Sequence, residues 1–219
     1  MTSHSFFTSR RLRTTTLAVV AAAALALSGC NSGGEPNNGG TTSPSATESV
    51  TPSATPRPTP TAVYKPADAT GRAQNVPVPV LPEVAKTETK EGLEAFARYW
   101  YSALSYAYET GDLGPLSAVT GSGCANCDAA EKIITNWHVG GRWLEGGKIV
   151  TPAVETSFKV AADGNYQVIT QVQQSQLRAY KSDGSTSDAV VPASDVAQIF
   201  MATYSPDGWH LVDAQRLNG

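Results

Sequence analysis

From Leu93 onward apolar positions recur at three- and four-residue steps: Leu93, Phe96, Ala97, Trp100, Leu104 and Ala107. That period predicts an amphipathic helix. Thr89 can cap its start and Gly111 can take the left-handed conformation at its end. Glu94 and Arg98 have the i, i+4 spacing of an ion pair on the outer side. The aromatic load, Tyr99, Trp100, Tyr101, Tyr106 and Tyr108, exceeds one stripe, so some rings must face a second surface or a pocket. "GDLGPLSAVTG" holds at most one short helical turn. A further helix is expected from about Cys124 to Val139, with Ala130, Ile133, Ile134 and Trp137 on one face and Gly140-Gly141 ending it.

After those glycines the period changes to two. Val154, Thr156, Phe158 and Val160 alternate with polar residues, and "ADGN" turns the chain. Tyr166, Val168, Thr170 and Val172 alternate with Gln167, Gln171 and Gln173, and the pattern slips near Ser175, which predicts a bulge or a bend. Two later strands, Val196 to Tyr204 and Trp209 to Leu217, flank the turn "SPDG". Helices followed by antiparallel strands predict an α+β domain over residues 87–219, with the helices packed on one face of a bent sheet.

Upstream the pattern is different. Arg10, Arg11 and Arg13 precede an uncharged apolar run from Leu17 to Leu27, the layout of an export signal. The run is shorter than the roughly 20 residues a spanning helix needs. Residues 30–62 are rich in Gly, Ser, Thr and Pro, and beyond Cys30 Val50 is their only large aliphatic, so a disordered tether is expected. Residues 63–86 return Tyr64, Val76, Val78, Val80 and Leu81 between prolines, the composition of an extended strap lying against the domain.

Leu27-Ser28-Gly29-Cys30 resembles the lipobox of bacterial lipoproteins. The resemblance implies a signal peptide over residues 1–29 and a lipid on the Cys30 sulfur, holding the protein on the outer face of the cell membrane. The order of helices and bent sheet resembles the cone-shaped fold of the nuclear transport factor superfamily, whose pocket serves catalysis in some members and binding in many. The lipobox, the Thr/Pro tether, "YKPADATG", "VPVPVLPE", "FARYWYSALSYAYETGD" and the cysteine pair together are similar to an uncharacterised family of actinobacterial lipoproteins, which implies no particular activity.

The sequence carries 16 basic and 19 acidic residues. Removing the three leader arginines makes the remainder more acidic still, and no Lys/Arg cluster follows, so nucleic acid is not an expected partner. Cys124 and Cys127 make an even pair once Cys30 is assigned to lipid, and outside the cytoplasm they are expected as a structural disulfide, with a thiol redox couple as the alternative. His138 and His210 lack carboxylates at ligand spacing, so no metal is expected, and no cofactor motif is present. His210 and Asp213, three residues apart in a strand, should face opposite ways. The candidate pocket comprises Trp100, Tyr101, Tyr106, Gln171, Gln173 and Asp213, a set suited to a small apolar or amphipathic ligand. The leading expectation is a noncatalytic binding domain for such a ligand or for a cell-envelope protein. An isomerase- or dehydratase-type enzyme is the alternative, with Asp213, Tyr101 and Tyr106 as its conceivable actors.

Overall fold

The computed structural model describes residues 62–217. The leader, Cys30 and all but the last residue of the expected tether lie outside the described residues. Among these no helix is long and apolar enough to cross a bilayer.

Helix α1 runs from Lys90 to Thr110. The Thr89 hydroxyl accepts the Gly92 amide at 3.0 Å, and Gly111, at φ 80°, donates its amide to the Ala107 carbonyl. Such a cap contributes about 1 kcal/mol. The predicted stripe is buried, and Tyr101 and Ala103 are buried beside it. The expected Glu94–Arg98 pair is not formed. Glu94 pairs with Lys90 at 3.8 Å, while Arg98 donates to the Thr151 carbonyl at 2.6 Å and so ties the helix to the sheet.

A short helix α2, Gly114–Ser117, leads to α3, Ala125–His138. The buried face of α3 is the predicted one except at Ile133. Cys127 and Ile134 are buried and Ala130 packs against the core, whereas Ile133 is 48% exposed. Trp137 packs beside Leu144, Leu177 and Ala179, and Cys127 extends the inward face to the helix start, where it is bonded to Cys124.

Eight strands follow: β1 Trp143–Gly146, β2 Ile149–Val150, β3 Val154–Glu155, β4 Tyr166–Gln174, β5 Leu177–Tyr180, β6 Thr186–Val191, β7 Ser194–Ser205 and β8 Gly208–Arg216. All named pairings are antiparallel. β1, β5 and β6 form one sheet, and β2, β4, β7 and β8 form the other, with β3 also on β4. The two sheets are arms of one bent ladder. Gly146 lies opposite Leu177 and Ile149 opposite Gln174, so the register is the same on both sides of the break. Between them Gly147 donates to the Gln176 carbonyl and Ser175 to that of Lys148. The slip in pattern near Ser175 is therefore a bend with no inserted residue. Gly146 makes it sterically possible: its φ is 80°, and a Cβ there would lie 2.0 Å from the Gln176 carbonyl oxygen.

The strand expected over Val154–Val160 is cut short. Only Val154–Glu155 pairs as a strand, and Phe158 turns to φ 51°, stacking on Tyr166 with ring centroids 4.9 Å apart. At the other edge β8 carries a bulge. Met201 pairs with Asp213 and Ala202 with Leu211, leaving Val212 as an extra residue.

The core lies between α1 and the inner face of the larger sheet. The Phe200 ring meets Phe96, Trp100 and Tyr101, each with centroids 5.8 Å away. Burying each such ring is worth roughly 1.5–3 kcal/mol. Residues before α1 close both ends. A small hairpin with bridges Lys65–Gln74 and Asp68–Gly71 buries Ala67 against Trp143 and Tyr180, and Trp143 Nε1 donates to the Asp68 carbonyl at 2.9 Å. A 3-10 turn, Glu83–Lys86, buries Ala85 at the far end, whereas Val78 and Val80 in between are exposed.

Candidate functional site

The inner faces of α1 and the sheet diverge toward α3 and leave a cavity of about 540 Å³, within the size range of small-molecule sites. Trp100, Tyr101, Leu104 and Tyr108 come from α1, and Asn126, Cys127 and Ala130 from α3. Ile149, Val172 and Val196 form the apolar sheet wall, and Gln174, Ser194, Gln198, Gln215 and Arg216 supply polar groups.

Sequence periodicity explains the helical side. Trp100, Leu104 and Tyr108 fall on one face of α1, and Tyr101 lies next to it. The buried donors of this side are satisfied. Trp100 Nε1 donates to the Thr120 hydroxyl at 3.0 Å, and the Tyr101 hydroxyl donates to Gln198 Oε1 at 2.8 Å. Burial pushes the Tyr101 phenol well above its ordinary range and raises that of Tyr108, against the lowering effect of its hydrogen bond with Gln174, so both stay protonated.

Of the expected pocket residues, the structure brings Trp100 and Tyr101 to the cavity and places the other four elsewhere. Tyr106 points off the far side of α1, and its hydroxyl donates to Asp112 at 3.2 Å. Gln171 and Gln173 occupy the outer face of β4, opposite Val172, and each donates to the Asp195 carboxylate at 2.9 Å. Those two bonds hold Asp195 below the usual carboxylate range. The glutamine that does line the cavity is Gln174, one residue further on. An alternating row of glutamines shows its wet face plainly, and the inward amide is the one that breaks the alternation.

Asp213 is displaced by the bulge. Trp209 and Leu211 are buried, so unbroken alternation would send Asp213 inward as well. The extra residue Val212 inverts the parity, and Ala214 and Arg216 reach the cavity instead. The opposite-face argument for His210 and Asp213 assumed a regular strand and fails for the same reason, though no hydrogen bond joins them among the described residues. Asp213 instead accepts from Asn126 Nδ2 at 3.2 Å and from its neighbour Ala214 N at 2.8 Å. Arg216, Gln198 and Tyr108 were all missed as site residues. Gln198 sits on the inner parity of a strand that was recognised, so its signal was present.

Cys124 and Cys127 form a disulfide with Cα atoms 5.2 Å apart. Both residues are buried, at 1% and 3% exposure, although Cys127 forms part of the cavity wall. The Cys124 sulfur lies 3.6 Å from an Asp213 carboxylate oxygen, which opposes negative charge on that sulfur. Among the described residues no group of three His, Cys, Asp or Glu side chains is poised to hold a metal ion.

A family model described as "Family of unknown function (DUF6318)" matches residues 62–215. The chain belongs to this family. The DUF6318 match takes in the Lys65–Gln74 hairpin, all three helices, both sheets and most of the cavity lining. No curated protein matches the chain. Among solved structures it is similar to the intermembrane-space region of the chloroplast protein ARC6, at 14% identity and a TM-score of 0.40, over 60% of this chain and 98% of that one. It is also similar to Aln2 from a Streptomyces species, at 11% identity and a TM-score of 0.35, over 57% of this chain and 88% of that one. Likenesses this distant say nothing of function.

Proposed function

We propose that this DUF6318 protein is a lipid-anchored extracytoplasmic lipoprotein whose domain binds a small amphipathic ligand in the cavity between α1, α3 and the sheet. The observation that carries the binding role is the character of the lining: an apolar floor from Leu104, Ile149, Val172 and Val196, and a rim of amides and hydroxyls. Such a lining can desolvate the body of a ligand and orient its polar end. No carboxylate or imidazole is among the lining residues, which favours binding over proton transfer as the task of this site. The buried sulfurs favour a structural role for the disulfide over thiol exchange. Three helices leading into a bent antiparallel ladder support a cone of the nuclear transport factor type as the fold.

The anchor rests on the lipobox-like Leu27-Ser28-Gly29-Cys30 after a short apolar run. On this reading the family is one of actinobacterial lipoproteins, and the segment between Cys30 and Val63 carries the domain away from the membrane. Two experiments test the proposal separately. Cys30→Ser should leave an unprocessed protein without lipid, and a variant that still enters the detergent phase at the mature size ends the anchor reading. Native mass spectrometry of the protein from its own membrane should find a co-purified small molecule. A bare mass, together with no binding of amphiphiles in titration, would instead leave the domain as a scaffold for another envelope protein.

A further inference from the structure

Only one of the residues that line the cavity is charged. Arg216 reaches it from the end of β8, in a chain whose formal net charge is −3. Among the described residues the Arg216 guanidinium makes no hydrogen bond and no ion pair. Asp213, on the same strand, lies outside the lining and is engaged by Asn126, Ala214 and Gln215.

The neighbour of Arg216 is equally specific. Gln198 is its cross-strand partner on β7, so their side chains rise side by side from the sheet. The Tyr101 hydroxyl donates to the Gln198 amide oxygen at 2.8 Å. With the oxygen so engaged, the Nε2 donor is left over and has no acceptor among the described residues. A planar guanidinium and an amide N–H therefore sit together at the rim above an apolar floor. Both are donors, and one is cationic. Such a pair matches the two oxygens of a carboxylate or of a singly charged phosphodiester.

Resting on the binding role proposed above, we infer that the ligand is a singly anionic amphiphile, its oxyanion seated between Arg216 and Gln198 and its apolar body on Leu104, Ile149, Val172 and Val196. The Val212 bulge is the element that puts Arg216 on the cavity side of β8, opposite Gln198, where its side chain stays exposed at the mouth.

The test uses the full-length protein in nanodiscs of neutral phosphatidylcholine, titrated calorimetrically with octanoate and with octanol, with empty nanodiscs subtracted. Octanoate should bind more tightly than octanol by on the order of tenfold, the effect of one charge-assisted hydrogen-bonded pair. Arg216→Gln should remove that preference, lowering octanoate affinity to that of octanol. Leu104→Trp, which fills the floor, should weaken both. Equal binding of the two probes, both lost in Leu104→Trp, would overturn the anion assignment while leaving the cavity as a binding site. Failure of both probes to bind the wild type would overturn the cavity reading and the anion assignment with it. Phosphatidylglycerol in the nanodisc distinguishes the sources. If it suppresses octanoate binding in the wild type but not in Arg216→Gln, the natural anion is a lipid headgroup; if it has no effect, the anion belongs to a free acid.

Discussion

The Trp209 indole nitrogen donates to the main-chain carbonyl of Thr87 at 2.9 Å, across 122 residues of sequence. This bond joins the last hairpin to the residue where the chain turns into α1. Next to it the Tyr204 hydroxyl donates to the Lys86 carbonyl, also at 2.9 Å. The start of the helix is thereby fixed to the sheet by two aromatic side chains, and Tyr166 and Tyr204 pack edge-on against the Trp209 ring.

The close approach at Thr87 makes Gly92 irreplaceable in shape. A Cβ on Gly92 would stand 2.1 Å from the Thr87 carbonyl oxygen and 2.8 Å from that of Val84. Both obstacles are backbone, so relief requires moving the segment that Trp209 and Tyr204 hold. Gly92→Ala, normally a gain in a helix, should here destabilise the domain by about 1–3 kcal/mol, the usual cost of overpacking. Urea unfolding checks it. A neutral or stabilising result would show that the 3-10 turn shifts freely and that the two aromatic bonds do not fix it.

Elements whose period is carried by large side chains were legible in the sequence. Helix α1, with its Thr89 cap and Gly111 stop, and the β7–β8 hairpin around "SPDG" follow directly from spacing. β1 and β2, four and two residues long with Gly147 and Lys148 between them, offer too little periodicity to be seen. β6 is exposed at nearly every position, so it lacks the alternation of a half-buried strand. The site was legible only on its helical side. Trp100 and Tyr101 announce themselves by being more aromatic than one stripe needs, but Arg216 depends on a bulge at Val212. A one-residue insertion in pairing has no marker in a strand read alone, because it is a property of two strands together.

The disulfide should behave as a structural bond. Its ring is short, so the chain-entropy contribution is only about 2 kcal/mol, and replacing both Cys124 and Cys127 by Ala should cost about that much plus the loss of packing at the α3 start. In the native protein, reduction by a small dithiol should be no faster than the opening that exposes the sulfurs, since both residues are buried. Thiol trapping against time, at several urea concentrations, measures this directly. Rapid reduction in the absence of urea would favour a redox couple.

His138 gives the stability of the domain a defined dependence on pH. Its Nε2 lies 3.0 Å from the Tyr108 carbonyl and must be the protonated nitrogen, because a carbonyl only accepts. Its Nδ1 is buried, with no partner among the described residues. Burial first of all, and then the nearby Arg72 guanidinium, hold its pKa below the ordinary 6.5, against the opposing pull of the Tyr108 carbonyl. Arg72 is itself fixed close by, donating to the His138 and Arg142 carbonyls at 3.2 and 2.8 Å. With a folded pKa below the unfolded one, the unfolded chain binds the extra proton first, so acid favours unfolding. The contribution of His138 is fully present above about pH 6.5 and is lost as pH falls from there through the folded value. Urea midpoints measured from pH 8 to pH 5 should therefore decline more steeply below about pH 6.5 in the wild type than in His138→Gln, which can keep the bond to Tyr108 but cannot take up a proton. Parallel profiles for the two proteins would assign the acid sensitivity to other groups and return His138 to simple packing beside Gly111.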